Sequence, residues 1–281
     1  MNKLLPSEIL IVVLHTLQEP WEEIVQKGQF ETWVPKAIKE GYKISYCFGP
    51  RPTRLVKKID YWNENLRWHK GARVSTLRNQ ANKVLAKPFL RHVPATYSYG
   101  YLGAPEGVDC ITLKVWDLYL TGRWKMLAVF NYFLQQPQSK YLVILTSAAY
   151  LRPQLLRETL TKLDGETIYA GPIIQKNSKT PFVSGAQLVV NRKFAEISVT
   201  NPAFFPGEKL NDLSLALAAE KMGVNPIELP TINFSSLEEI QNAEEGAIRA
   251  NYHFRLKSFK FGKRNDVELF LKLKEKIESI E

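Results

Sequence analysis

Metal centres and disulfide frameworks are built from residues this chain has little of. It holds two cysteines and four histidines in 281 residues. Cys47 and Cys110 sit in apolar, strand-like contexts and read as reduced core residues, since disulfide scaffolds use more cysteines than this. His69 and His92 have no Cys, Asp or Glu at metal-ligand spacing, so they read as surface or satisfied core histidines. The chain contains no Asp-x-Asp. It also lacks an apolar run of about 18 residues, and Glu8 to Leu14 is too short and too closely flanked by charge to span a bilayer. With no secretory core segment either, a cytoplasmic location is expected.

What is present is an ordinary globular composition, 45% hydrophobic and 23% charged, with a net charge of +10. The positive charge is densest at Arg51 to Lys58, Arg67 to Arg91 and Arg255 to Arg264. A solvated basic face explains such density, and so does an anionic partner such as a nucleotide diphosphate, an anionic membrane or DNA. The DNA reading draws only on charge and on Arg67 to Arg91.

Ile9 to His15 reads as a buried parallel strand. Pro20-Trp21-Glu22-Glu23 opens a helix with proline and acids in its first turn. Further helix reaches Glu40-Gly41, and Tyr42 to Gly49 is a second strand. This β-α-β opening argues for a parallel sheet with helices on its faces. Residues 51–105 are an irregular insertion in which aromatic and basic residues mix without a period. They could offer a stacking surface, though ordinary loop packing is the plainer reading. Asp117 or Thr121 would cap a helix that follows. Lys125 sits early in that helix, where a cation opposes the macrodipole, so an anionic group nearby would help explain it.

The centre of the pattern is Lys140 to Arg192. The apolar run Tyr141 to Leu145 ends in Thr146-Ser147-Ala148, and a helix begins at Pro153. A second strand is followed by Pro181 to Ala186, which leads into a third. In α/β sheets, ligands collect where strands end and helices begin, so the carboxyl end of the first strand is the expected site.

Several segments together resemble the β-1,3-glycosyltransferase and Fringe group. They are Asp117-x-Tyr119-x-Thr121-x-x-x-Lys125, Tyr169-Ala170-Gly171-Pro172, Pro181 to Ala186 with Val190-Asn191-Arg192, Asn211-Asp212-Leu213 to Val224, and upstream Phe30 to Trp33 and Ile44 to Gly49. They follow the family's order from about Ile9 to Leu256. The resemblance implies an α/β, GT-A-like Rossmann-type mixed sheet flanked by helices over residues 1–256. Residues 257–281 would add a basic strip and an amphipathic helix, packed on the domain or on a second subunit, or lying on an anionic membrane face. The implied activity is transfer of a sugar from a nucleotide-diphosphate donor, UDP favoured, to a hydroxyl of a glycan, glycoprotein or lipid-linked acceptor, with inversion.

The resemblance also assigns roles. Asp212 matches the family's general base, while the plainer alternative is a helix cap. Phe182, Ser184, Gly185 and Ala186 would form the acceptor wall, with Gly185 letting backbone approach sugar closely. His253 looks like the family's late histidine, which meets the metal or the diphosphate.

One departure stands against this pattern. Where the family has an acidic triplet that holds a divalent cation, this chain has Thr146, Ser147 and Ala148. Two hydroxyls and a methyl cannot hold a hard cation such as Mn²⁺, so no metal cofactor is expected. Three consequences stay open: metal-free donor binding, loss of catalysis with survival as a glycan-binding or chaperone-like relative, or alteration of the site. In the first, cations on the diphosphate would replace the metal, with Lys125, Arg152, Arg157, Arg255 and Lys257 as candidates beside His253.

Overall fold

The computed structural model describes residues 4–49, 96–100, 103–113, 122–175, 180–206, 211–260 and 263–281. Asp117, Thr121, His69, His92 and the basic segment Arg67 to Arg91 lie outside them.

The chain forms a mixed α/β fold. In order, β1 (Ile9–Leu14) leads through α1 (Trp21–Glu23), a π-helical stretch Ile24–Gln29 and α2 (Trp33–Lys39) to β2 (Lys43–Phe48). After β3 (Thr96–Gly100) and β4 (Val108–Leu113) come α3 (Gly122–Leu134), β5 (Tyr141–Thr146), β6 (Ala149–Leu151) and α4 (Pro153–Thr161). Then follow β7 (Tyr169–Gly171), β8 (Ile173–Ile174), β9 (Phe182–Val183), β10 (Gln187–Asn191), α5 (Arg192–Thr200) and α6 (Asn211–Lys221). The last part holds β11 (Ile227–Glu228), β12 (Ile232–Phe234), α7 (Leu237–Asn242), α8 (Glu245–Ala250), β13 (His253–Leu256), β14 (Phe259–Lys260), β15 (Lys263–Arg264) and α9 (Val267–Ile280).

The main sheet runs β11-β7-β10-β5-β1-β2-β4-β3. β1 pairs in parallel with both β2 and β5, whereas β10 is antiparallel to β5 and β3 is antiparallel to β4. The sheet is therefore mixed, and the irregular region expected over 51–105 contributes an edge strand at 96–100. Because the chain builds outward on one side of β1 and then crosses to place β5 on the other, the order reverses between β1 and β5. Open α/β sheets hold their ligands at such a switch point, beyond the carboxyl ends of the strands.

Period-two alternation divides the core into two layers. Ile9, Ile11 and Val13 face one side, where Trp33 and Val34 of α2, Leu156 and Leu160 of α4, and Phe270, Leu273 and Ile277 of α9 cover them. Leu10 and Val12 face the other, under Trp124 to Phe133 of α3, Phe194 of α5 and Leu215 of α6. Of the placements expected for the C-terminal helix, packing on its own domain is the one observed. Its Leu269, Phe270, Leu273, Ile277 and Ile280 are all buried. Arg152 ties Glu281 down through an ion pair of 2.9 Å.

Cys47 and Cys110 are buried and form no disulfide. They lie on adjacent strands, but Tyr46, not Cys47, is the partner of Cys110, so the two thiols point to opposite faces. No described helix is long and apolar enough to cross a membrane.

Candidate functional site

The carboxyl end of β5 is a firmly anchored turn at the switch point. Gln29 is fully buried in the π-helical stretch before α2. Its amide nitrogen lies 3.2 Å from the carbonyls of Thr146 and Ser147 and 3.0 Å from that of Ala149. Its carbonyl oxygen accepts the Tyr46 hydroxyl at 2.7 Å. The Trp33 indole donates to Ala149 O at 3.1 Å, and Leu256 N donates to Ala148 O at 2.8 Å. The carbonyls of the turn are thus directed into protein donors. π-turns interrupt helices most often at functional sites, and here the interruption aims one glutamine at a turn more than a hundred residues away.

β13 lies against this turn, with Arg255 opposite Ala149 and His253 opposite Leu151. No described group accepts a hydrogen bond from the half-buried Arg255 guanidinium. Burial pulls it below its ordinary pKa, Arg264 adds to that, and Asp212 and Asp266 oppose it. A guanidinium in that position is a bidentate site for phosphate or carboxylate oxygens. Lys257 follows it on the exposed side.

His253 is placed beneath the crevice, not at its surface. It has no solvent exposure, Thr231 Oγ1 bonds its Nδ1 at 2.6 Å, and its Nε2 meets no described partner. Burial, aided by Arg255, holds its pKa down at about 3, so the ring is neutral near neutral pH. Arg152 is taken up elsewhere, by Glu281 and by the carbonyls of Ile248 and Arg249. Arg157 lies on α4 near Tyr42.

β10 is antiparallel to β5, so its first residue, Gln187, sits across from Leu145 at the carboxyl end. That brings the preceding segment to the crevice. Half-buried Phe182 and buried Ser184 and Ala186 frame Gly185, whose N–H donates to Asp212 Oδ2 at 2.9 Å. A Cβ on Gly185 would stand 2.7 Å from Asp212 Oδ1, so glycine is what permits the approach. Asp212 sits in the first turn of α6, where a carboxylate also suits the helix dipole. Its carboxylate reaches across to residue 185 and so serves more than its own helix.

At the end of β1, Lys125 Nζ donates to the His15 carbonyl at 3.1 Å. The polar group near Lys125 is thus a strand-end carbonyl. His15 is buried against Tyr46 and Phe48, and burial followed by Lys125 lowers its pKa to about 3. Sequence reasoning alone does not find His15, Gln29 or Tyr46. Only Gln29 carries a signal, as a polar residue amid the apolar positions of Ile24, Val25, Phe30 and Trp33.

A cavity of about 240 Å³ lies elsewhere, lined by Tyr169, Pro181, Glu220, Val224 and Asn225 among others. Asp212, Arg255, Lys257 and the turn 146–148 do not line it, whereas Pro181, the first residue of the 181–186 segment, does. Among the described residues no three His, Cys, Asp or Glu side chains gather as a metal site. Thr146, Ser147 and Ala148 themselves offer no carboxylate to a divalent cation, and Arg255 pairs with the next residue, Ala149.

No family model and no curated protein matches the sequence. Solved structures do show likeness. One is a glycosyltransferase involved in glycosylation of the major capsid of PBCV-1, at TM-score 0.41 and 10% identity over 95% of this chain and 98% of that one. Another is apo GlyE, a glycosyltransferase of Streptococcus pneumoniae TIGR4, at 0.46 and 11% over 95% of this chain and 60% of that one. A third is an active-site mutant of LgtC, at 0.46 and 10% over 94% of each chain. Overlap at this level carries no argument about activity, donor or acceptor.

Proposed function

We propose that this chain is a glycosyltransferase that takes a sugar from a nucleoside diphosphate, UDP favoured, and passes it with inversion to a hydroxyl of a glycan or lipid-linked acceptor. The observation that carries the reading is that Arg255 and Asp212 lie within electrostatic reach of each other. Arg255, without a hydrogen-bond acceptor among the described residues, is paired along the strands with Ala149, next to the neutral turn 146–148. Asp212 is held by the Gly185 N–H at 2.9 Å. The sequence resemblance supports the same assignment.

In this mechanism Asp212 accepts the proton of the acceptor hydroxyl as its oxygen attacks the anomeric carbon. The bond from that carbon to the diphosphate breaks, and its electron pair leaves with the diphosphate oxygen. Arg255, with Lys257 at the exposed edge and Lys125 at the end of β1, stabilises the charge that develops there, the kind of interaction that usually contributes most. Thr146 and Ser147 offer hydroxyls to the diphosphate, and Ala148 leaves room for it. His253 acts from below, as the neutral floor against which Arg255 is held. No step uses a divalent cation.

The second reading, a noncatalytic glycan-binding relative, is favoured by the loss of acids at 146–148. Calorimetry with UDP and hydrolysis of UDP-sugars, each with EDTA and with Mn²⁺, distinguish them. The enzyme reading expects UDP binding unaffected by EDTA, weakened about tenfold or more in Arg255→Met, with hydrolysis lost in Asp212→Asn. Binding without turnover in the parent chain supports the relative. Absence of nucleotide binding overturns the enzyme reading.

A further inference from the structure

Residues 255–264 contain Arg255, Lys257, Lys260, Lys263 and Arg264, and no acid. The amphipathic helix that follows is not available to a membrane, because its apolar stripe is buried in the core. The strip itself is a separate two-stranded ribbon, with Phe259 opposite Arg264 and Lys260 opposite Lys263. Phe259 is 59% exposed, more than any other large hydrophobic side chain among the described residues.

The ribbon is held at its base. Arg264 forms an ion pair with buried Asp266, donates to Leu256 O, and lies 4.6 Å from the Trp21 ring centre. Asp266 also accepts Ser258 N at 2.8 Å. Arg264 is therefore committed inward. Lys257 makes no ion pair with a described carboxylate, and its ammonium lies 5.5 Å from the Phe259 ring centre.

We propose that this ribbon is a contact for an anionic lipid surface. Phe259 enters the headgroup region, while Lys257 and the basic residues that the sequence carries at 260 and 263 supply the attraction to lipid phosphates. An apolar ring within a basic segment matches a partner that is charged outside and apolar just beneath. A nucleic-acid strand would reward the lysines, but it calls for successive stacking rings, and Phe259 is the single strongly exposed aromatic among the described residues. Trp21 follows the carboxyl end of β1, so the Arg264 contact places the ribbon on the crevice side of the sheet. Under the proposed glycosyl transfer, a lipid-borne acceptor would arrive at the correct face. The lipid contact itself does not depend on that reading.

The full chain is sedimented with phosphatidylcholine vesicles, with and without phosphatidylserine, and titrated with a single-stranded oligonucleotide. The expected result is binding that requires phosphatidylserine and weakens with salt. At about fivefold per lysine near such a surface, the triple variant Lys257→Glu, Lys260→Glu, Lys263→Glu loses on the order of a hundredfold. Phe259→Ser loses about tenfold. Phe259→Ser keeps the parent's melting temperature and UDP affinity, and the triple variant keeps its melting temperature, which separates this result from any failure of the nucleotide reading. The proposal is overturned by absence of vesicle binding, by equal binding to phosphatidylcholine alone, by parental affinity in the triple variant, or by tighter binding to the oligonucleotide than to vesicles.

Discussion

Replacing Gln29 by leucine removes a hub and leaves the volume nearly unchanged. The amide of Gln29 has two hydrogens to share among three carbonyls, those of Thr146, Ser147 and Ala149. Ala149 O keeps the Trp33 indole, so the change strands about one carbonyl at the end of β5. It also removes Gln29 Oε1, the acceptor of the Tyr46 hydroxyl at 2.7 Å. A buried polar group left without a partner costs about 1–3 kcal/mol, so two of them give up to about 2–6 kcal/mol. For a chain of this size that is a melting-point drop of roughly 3–10 °C. Urea and thermal denaturation of Gln29→Leu measure it directly. Gln29→Glu adds a pH signature, because a carboxylate facing carbonyl oxygens is tolerated only when protonated. Its folded pKa is raised above the unfolded value, so its stability relative to the parent is highest in acid and falls as pH rises. A Gln29→Leu variant within about 0.5 kcal/mol of the parent, the scatter typical of inconsequential surface changes, would refute the role assigned to this side chain.

Gly185→Ala places a methyl against Asp212; transfer or donor hydrolysis should fall at least about tenfold, the cost of a base shifted by a few tenths of an ångström to an ångström, while UDP affinity stays within about threefold. The depressed histidines predict a stability profile. Above the unfolded pKa of 6.5, His15 and His253 are neutral in both states, and below it the unfolded chain takes up protons that the folded chain refuses until about pH 3. Stability is thus fully present above pH 6.5 and falls as pH drops toward 3, each histidine adding up to about 1.4 kcal/mol per pH unit. Urea titrations between about pH 7 and pH 5 should show this, His253→Asn should reduce the slope, and a flat profile in the parent contradicts the burial argument. Leu273→Ala, in the buried stripe of α9, should cost about 2–5 kcal/mol; a loss below about 1 kcal/mol in chemical denaturation would mean that the helix is not part of the core.

The legible parts of the sequence are those in which local pattern and tertiary role coincide. β1, β2 and β5 are apolar runs because both their faces are covered, and α4 begins at a proline that suits a first turn. The strand-end turn at Thr146 is legible for the same reason, since a buried run must stop where polar residues begin. What ties the site together is not legible. Gln29 reaches Ser147 across 118 positions, and Gly185 meets Asp212 across 27, and no periodicity records either contact. Arg152 and Arg255 are both arginines beside strands, but only the fold shows that Glu281 engages the first and that no described acceptor engages the second. Only the family resemblance makes His253 a ligand contact, whereas its burial depends on Thr231 and on the strand pairing of β13. Residues 96–100, within a stretch that reads as an irregular insertion, pair with β4 because their backbone has an open sheet edge to join, a fact outside their own sequence.

The opposed cysteines make the chain a two-channel reporter. Cys110 lies in the layer closed by α2, α4 and α9, and Cys47 in the layer closed by α3, α5 and α6. A thiol reagent reaches either one only when its own helical layer lifts from the sheet. Single-cysteine variants would therefore time the opening of each side separately, using only the thiols the chain already carries.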